Sequence, residues 1–185
     1  MISEQDLIEG CKKGNRKAFE SLYTMYSKRM MAIALRYCNT TFEAEDIVQE
    51  TFIKVFEKIN TFDNKGSFEG WLKRVLVNYS INHFHKTTSE RNFEDVSEIE
   101  LADENVGNVF SKISNDELLD ILKTLPYGYR TVFNLYVIEG FNHKEIGEMC
   151  KISEGTSKSQ LAKAKSMLKT LVVKKFCITD ERERR

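Results

Sequence analysis

Between residues 87 and 115 the chain has too little apolar surface to build a core. Glu90, Glu94, Asp95, Glu98, Glu100, Asp103 and Glu104 are balanced there only by Arg91 and Lys112, a net charge of −5, and the apolar residues follow no sustained period. Burial of apolar surface is what offsets the entropy of ordering a chain, so such a stretch stays unstructured. Unstructured loops of this length are uncommon inside compact domains. The segment therefore divides the 185 residues into two folded blocks, 1–88 and 116–185, joined by a flexible acidic linker over 89–115, with a short helix expected near Ser111. Residues 1–86 carry a net charge of +2 and residues 116–185 one of +3, so the formal total of zero conceals a segregation.

A single proline, and apolar residues recurring every three or four positions in both blocks, argue for an all-α fold of two small helical domains. No apolar run approaches the roughly eighteen residues of a membrane span. The opening Met1-Ile2-Ser3-Glu4-Gln5-Asp6 lacks the basic flank and apolar stretch of a secretory signal, so a cytoplasmic chain without membrane insertion is expected. Cys11, Cys38, Cys150 and Cys177 show no CxxC pairing and read as ordinary thiols of a reducing compartment. His83 and His85 form an HxH with no second ligand pair, so no metal is expected, and no glycine-rich phosphate loop, GxSxG or HExxH marks a catalytic or cofactor site.

In the first block, Ala18 to Cys38 forms an amphipathic helix with Phe19, Leu22, Tyr23, Tyr26, Met30 and Ile33 or Ala34 inward. A second helix starts at Phe42, capped by Thr41, and turns Ala44, Ile47, Val48, Thr51, Phe52, Val55 and Ile59 to the core. At about 100° per residue, Asp46, Glu50, Ile53 and Glu57 fall on its opposite face. An apolar residue among carboxylates fits either a harmless exposed isoleucine or a contact surface for a basic partner helix. A loop, Asn60 to Gly66, precedes a third helix over Ser67 to Lys86, whose apolar face uses Phe68, Leu72, Val75, Leu76 and Tyr79. Arg74, Asn78, Ile81 and His85 point away, with Trp71 and Asn82 at one boundary. Basic, amide and aromatic groups beside a polar loop suit nucleic acid, although a tryptophan is more often a core residue than a stacking platform.

The second block contains helices over Asp116–Leu125 and Tyr129–Glu139, separated by Pro126 and closed by Gly140. A short helix from His143 to Met149, a turn at Cys150-Lys151-Ile152-Ser153 and a long helix capped by Ser153 then make a helix-turn-helix pattern. In the long helix Ser157, Leu161, Ala164, Leu168 and Leu171 are expected inward. Thr156, Ser159, Gln160 and Lys163 are expected on the side that would enter a major groove, where Gln can meet adenine and Lys guanine or phosphate. From Glu154 to Lys175 six lysines stand against one acid, and the last residues, ITDERERR, read as a solvated tail.

Together, EAEDIVQETFIKVFEKI, SFEGWLKRVLVNYSINHFHK and the stretch from LPYGYRTVF to KAKSML resemble the sigma-70 family of bacterial RNA polymerase sigma factors, specifically the two-domain extracytoplasmic-function (ECF) subgroup. The resemblance implies a transcription initiation factor, not an enzyme, that binds core RNA polymerase and promoter DNA, uses no cofactor, answers to an anti-sigma factor and is monomeric when free. It implies that Asp46, Gln49, Glu50 and Ile53 meet basic clamp helices of the polymerase largest subunit. It implies that the loop with Asn64, Lys65 and Ser67 receives a flipped base of the −10 element, with Trp71, Arg74, Asn78, Asn82 and Lys86 along the melted strand. Thr156, Ser159, Gln160 and Lys163 would read the −35 element, and the acidic linker would run through the polymerase channel that later carries RNA. The family commonly has Asp at the Asn82 position and Arg at the positions of His85, Gln160 and Lys163, so promoter preference is expected to differ. A dimeric helix-turn-helix regulator and a metal-dependent nucleic-acid enzyme are the alternatives.

Overall fold

A computed structural model of the chain describes residues 3–87 and 115–183, with side chains over 3–84 and 117–172. Among the described residues all regular structure is helical. The chain separates into two compact units that divide near Phe84. The acidic stretch and the helix start expected near Ser111 lie outside the described residues.

The first unit comprises α1 (Glu4–Lys12), α2 (Arg16–Ala34), α3 (Thr41–Lys58), a 3-10 turn (Ile59–Thr61) and α4 (Phe68–Thr87). The sequence reading passed over α1, although its signals are local. Ser3 and Asp6 make a reciprocal capping box, with Asp6 N–H donating to Ser3 Oγ at 3.1 Å, and Leu7, Ile8 and Cys11 supply the buried stripe. Asn15 caps α2 by accepting from the N–H groups of Lys17 and Ala18. Leu22, Tyr26, Met30 and Ala34 of α2 are buried as expected, but Ala18 joins them and Tyr23 lies 40% exposed. Tyr23 stands one position outside a strict i+4 row beginning at Ala18, which carries it to the rim. Cys11 and Cys38 are buried and neither is in a disulfide, and burial pushes the Cys11 thiol up to about 11.

Thr40, not Thr41, caps α3. Its hydroxyl accepts from Glu43 N–H at 3.2 Å while the Glu43 carboxylate accepts from the Thr40 and Asn39 N–H groups, a reciprocity that only a residue three before an acid can complete. The inward residues Ala44, Ile47, Val48, Thr51, Phe52 and Val55 are all buried.

On α4 the core stripe is Phe68, Leu72, Leu76, Val77, Ser80, Ile81 and Phe84. Ile81 is therefore fully buried rather than pointing away, and Val75 and Tyr79 are only half-buried. The stripe advances in steps of four, each about 40° beyond a full turn, so the buried side migrates around the helix from Phe68 to Phe84. A fixed-face projection misses this drift.

The second unit comprises α5 (Asn115–Lys123), α6 (Tyr127–Phe133), a π-helical turn (Asn134–Ile138), α7 (His143–Cys150) and α8 (Glu154–Glu183). The helix expected over Tyr129–Glu139 thus begins two residues earlier and changes type at Asn134. Glu139 N–H donates to Asn134 O at 2.9 Å, the five-residue spacing of a π turn, and leaves Tyr136 and Val137 exposed. Asn142 caps α7 in a capping box with Glu145, and Ser153 Oγ accepts from Thr156 N–H at 2.9 Å at the start of α8. The backbone of α8 stays helical through Glu183, where the sequence reading placed a tail.

The turn between α7 and α8 leaves no room for a side chain at Gly147. A Cβ there would lie 2.8 Å from Ile152 O, and Lys151 closes α7 in the left-handed conformation at φ 57°. His143 bridges the two helices, with Nδ1 2.9 Å from Ser157 Oγ and its ring stacked on Tyr136 at 4.5 Å. Burial, aided by Lys158, holds its imidazole below the usual histidine value.

α8 packs against α5, α6 and α7 at once. Its buried arc therefore widens to Ser157, Gln160, Leu161, Ala164, Leu168 and Val172. This corrects the outward placement of Gln160, which is 1% exposed; Leu171 is half-buried. Gln160 lies about 60° from Ser157 around the helix, inside an arc broad enough to touch three neighbours but outside the narrower one that a single neighbour requires.

Gly147→Ala should destabilise the second unit by about 1–3 kcal/mol, because the clash is with backbone that cannot rotate away. Gly155→Ala, whose nearest neighbour is Ser153 Oγ at 3.6 Å, should be neutral or stabilising by up to about 1 kcal/mol. Thermal unfolding of the two variants checks both. Because burial lowers the His143 imidazole from its ordinary value of about 6.5, the unfolded chain takes up a proton at a higher pH than the folded one. Its contribution is present above that pH and is lost as pH falls through the folded value, so stability should drop on acidification and the drop should shrink in His143→Gln. NMR titration of the imidazole, paired with unfolding at several pH values, measures it.

Candidate partner-binding and nucleic-acid surfaces

Burial of one side of α3 leaves the other as a carboxylate face. Glu45, Asp46, Gln49, Glu50 and Glu57 are exposed, and Ile53 is 51% exposed in their midst. Phe42, at the acidic first turn, is 72% exposed. Like charges gathered along one helix face repel one another and are relieved by a cationic partner. The four residues singled out in the sequence therefore stand together on one surface. Its border with α4 was not foreseen: Lys54 Nζ lies 5.2 Å above the centroid of the half-buried Tyr79 ring, and His83 is 6.1 Å from that ring. Burial, then Glu50 and Asp46, raise the Tyr79 phenol.

The loop between the 3-10 turn and α4 is pinned from below and open above. Phe62 is buried against Phe68 at 5.4 Å and Trp71 at 5.5 Å, and Phe68 also meets Tyr26 at 5.6 Å. The loop tip rises over this aromatic base. Asn64 adopts φ 61°, a left-handed conformation that asparagine tolerates, while Asp63 Oδ1 accepts from Lys65 N–H at 3.1 Å and Asp63 Oδ2 lies 3.3 Å from Lys65 Nζ. These bonds hold the Asp63 carboxyl below its usual range. Asn64, Lys65 and Ser67 are all exposed, and Ser67 Oγ accepts from Gly70 N–H at 3.1 Å at the start of α4.

Trp71, Arg74, Asn78 and Asn82 follow three- and four-residue steps down one side of α4. Trp71 is half-buried, so one part of its ring completes the aromatic base while the rest reaches solvent; the core and surface readings of this residue are both true of it. Arg74 and Asn82 are exposed and Asn78 is half-buried. Asn82 Nδ2 donates to Asn78 O at 2.8 Å, which ties one amide N–H to its own helix. The side chains of His85 and Lys86 lie outside the described residues.

Two cations near this surface escaped the sequence reading. Burial lowers Arg36 at the end of α2, and Lys73 on α4 is lowered by burial and then by Arg36 itself. Their proximity comes from packing between helices far apart in the chain, so no local pattern could have announced it. Arg29 Nη1 also reaches across from α2 to Glu69 Oε2 of α4 at 2.8 Å.

In the second unit, Thr156, Ser159 and Lys163 are half-buried along α8, while Gly155, Lys158 and Lys165 are exposed. Gln160 does not share that surface. Lys158 Nζ lies 2.7 Å from Glu154 Oε1 on the first turn. The arrangement pairs a capped helix start, where N–H groups favour anions, with an exposed lysine row. Among the described residues no group of three or more His, Cys, Asp or Glu is placed to hold a metal ion, and no helix is long and apolar enough to cross a membrane.

The profile of Sigma-70 region 2 matches residues 22–90, and that of Sigma-70 region 4 matches residues 115–168. The chain is similar to the ECF RNA polymerase sigma-E factor of Haemophilus influenzae, with 25% identity over 182 residues covering 92% of this chain and 96% of the relative. It is likewise similar to the ECF RNA polymerase sigma-E factor of Escherichia coli, with 27% identity over 178 residues covering 90% and 93%. Its fold is shared with RpoE of Bartonella quintana, solved in complex with the anti-sigma factor NepR, at a TM-score of 0.55 and 21% identity over 84% of this chain and 97% of that one. CnrH, solved with the cytosolic domain of CnrY, matches at a TM-score of 0.52 and 19% identity over 91% and 96%. Two family regions in order, on a chain whose described residues form only helices and which is matched over nine-tenths of its length, establish that this protein belongs to the sigma-70 family, as a sigma factor of the ECF group.

Proposed function

We propose that this sigma factor docks on core RNA polymerase through Asp46, Gln49, Glu50 and Ile53, captures the −10 element on the α4 surface and reads the −35 element with α8. The observation that carries this reading is the exposed carboxylate face of α3 with Ile53 at its centre, on the same unit as the loop and the Trp71–Asn82 row. A basic helix laid on that face would neutralise its charge and cover the isoleucine, which supplies the apolar part of a small interface.

Asn64, Lys65 and Ser67 would border a base extruded from the −10 element, over the aromatic base formed by Phe62, Phe68 and Trp71. A splayed base would gain stacking on the exposed part of Trp71 and hydrogen bonds from the loop, which offset its loss of pairing. Arg74 and Lys86 would anchor phosphates, and the Asn78 and Asn82 amides would meet base edges. On α8, Thr156, Ser159 and Lys163 would face the −35 element, with Lys158 and Lys165 adding phosphate contacts. Gln160 leaves the recognition set, since a buried glutamine serves packing between α8 and its neighbours. The acidic linker would thread a basic path in the polymerase.

The chain performs no chemistry of its own in this reading; the polymerase makes the phosphodiester bonds. It acts in the cytoplasm, needs no cofactor and is monomeric when free. The Bartonella relative was solved with an anti-sigma factor, and we infer that this chain too is held inactive by such a partner.

Replacing Asp46 and Glu50 together with Lys should lower affinity for core polymerase at least about tenfold, since two attractive contacts become repulsive, while circular dichroism and thermal unfolding stay unchanged. Unaltered core binding in that variant would sink the docking assignment. Lys158→Ala combined with Lys163→Ala should weaken holoenzyme binding to promoter DNA and reduce the salt dependence by about one unit of slope per lysine that meets a phosphate. Core affinity should not move. Tight binding of palindromic duplex by the chain without polymerase would instead favour a stand-alone helix-turn-helix regulator.

A further inference from the structure

We propose that Tyr79 of α4 is part of the polymerase-docking face, as an aromatic platform whose present cation, the Lys54 ammonium, gives way to a guanidinium of the basic partner helix. The inference rests on the reading of α3 as that face and extends it across the border to α4.

Three features converge at this border. First, the Tyr79 ring already holds a cation, with Lys54 Nζ 5.2 Å from its centroid. The negative face of an aromatic ring attracts such groups within about 6 Å. Second, the field of Glu50 and then Asp46 reaches the phenol, after burial, and opposes its ionisation. Burial penalises a charge of either sign, but the two carboxylates act by sign and attract a cation brought to the ring. Third, both Tyr79 and Lys54 are half-buried, so the ring is oriented by its surroundings, while Asp46 and Glu50 of α3 are exposed. An incoming cation would find two carboxylates and a π face together.

Lys54 is a weak occupant of this position. Its ammonium is strongly hydrated and sits on a flexible four-carbon stem, whereas a planar guanidinium stacks on an aromatic ring and can fork toward a carboxylate at the same time. Lys54 also carries the same sign as the partner and repels it. Removing Lys54 should therefore tighten docking, while removing the ring should loosen it.

The test uses the full chain, with its affinity for core polymerase measured by equilibrium titration. Tyr79→Leu should weaken binding roughly three- to tenfold, the range spanned by cation–π contacts at partly desolvated sites, and Tyr79→Phe, which keeps the ring, should stay within about twofold. Lys54→Met should strengthen binding about two- to fivefold, and that gain should shrink in a Tyr79→Leu background, because the two residues act through one position. An unchanged affinity in Tyr79→Leu, an equal loss in Tyr79→Phe, or no gain in Lys54→Met overturns the proposal. The Lys54 arm guards against a folding defect at Tyr79, since a gain of affinity cannot come from misfolding. The paired Asp46→Lys and Glu50→Lys variant separates the two levels. Loss of binding there with a silent Tyr79→Leu ends the platform and spares the docking face, whereas silence in both ends the docking face as well.

Discussion

Burial of Ala44, Ile47, Val48, Thr51, Phe52 and Val55 is the constraint on which the first unit turns. Six inward positions spread over three turns of α3 fix its rotation, because any rolling would expose apolar surface at about 25 cal/mol for each Å² returned to water. With the rotation fixed, Asp46, Gln49, Glu50 and Ile53 have nowhere to go but outward. The acidic surface is thus a by-product of core packing, and its chemistry can vary without touching the core. The same burial seats Phe52 at 4.9 Å from the Tyr23 ring and 5.8 Å from Phe56, so the outer surface of α2 and the acidic face of α3 share one aromatic support.

The loop before α4 follows a related logic at smaller scale. Phe62 and Phe68 anchor its two ends in one aromatic cluster, and the five residues between them are left exposed with their backbone shaped by Asp63 and Asn64. A loop anchored by buried rings and shaped by short polar side chains keeps a defined shape while its five tip residues stay exposed. In the second unit, Gly147 and the left-handed Lys151 set the close approach of α7 to α8, and His143 ties the helices from the opposite end. The start of α8 is thereby held against both ends of α7.

Much of this was legible in the chain before any fold was known. The face of α3, the cap at Ser153 and the turn at Cys150–Ser153 each rest on spacing within one segment, and the sigma-70 resemblance rests on three stretches taken in order. The misplacements share a different origin. Gln160 and Ile81 were set outward because each helix was projected against a single imagined neighbour, whereas α8 meets three helices and the buried stripe of α4 drifts around it. Helix α1 went unread although Ser3, Asp6, Leu7, Ile8 and Cys11 carried a full set of local signals. The Arg36–Lys73 pair and the Lys54–Tyr79 contact had no local signal at all.

Amino-acid order alone decided where helices begin, which way the strongly amphipathic ones face, and that an acidic stretch parts two basic blocks, because caps, turns and periodicity act over a few neighbouring residues. Tertiary structure decided how wide each buried arc is, which polar residues sink into it and which side chains from distant helices meet. Those outcomes depend on how many neighbours a helix touches and at what angle, a property of packing in three dimensions that the spacing along one segment does not encode.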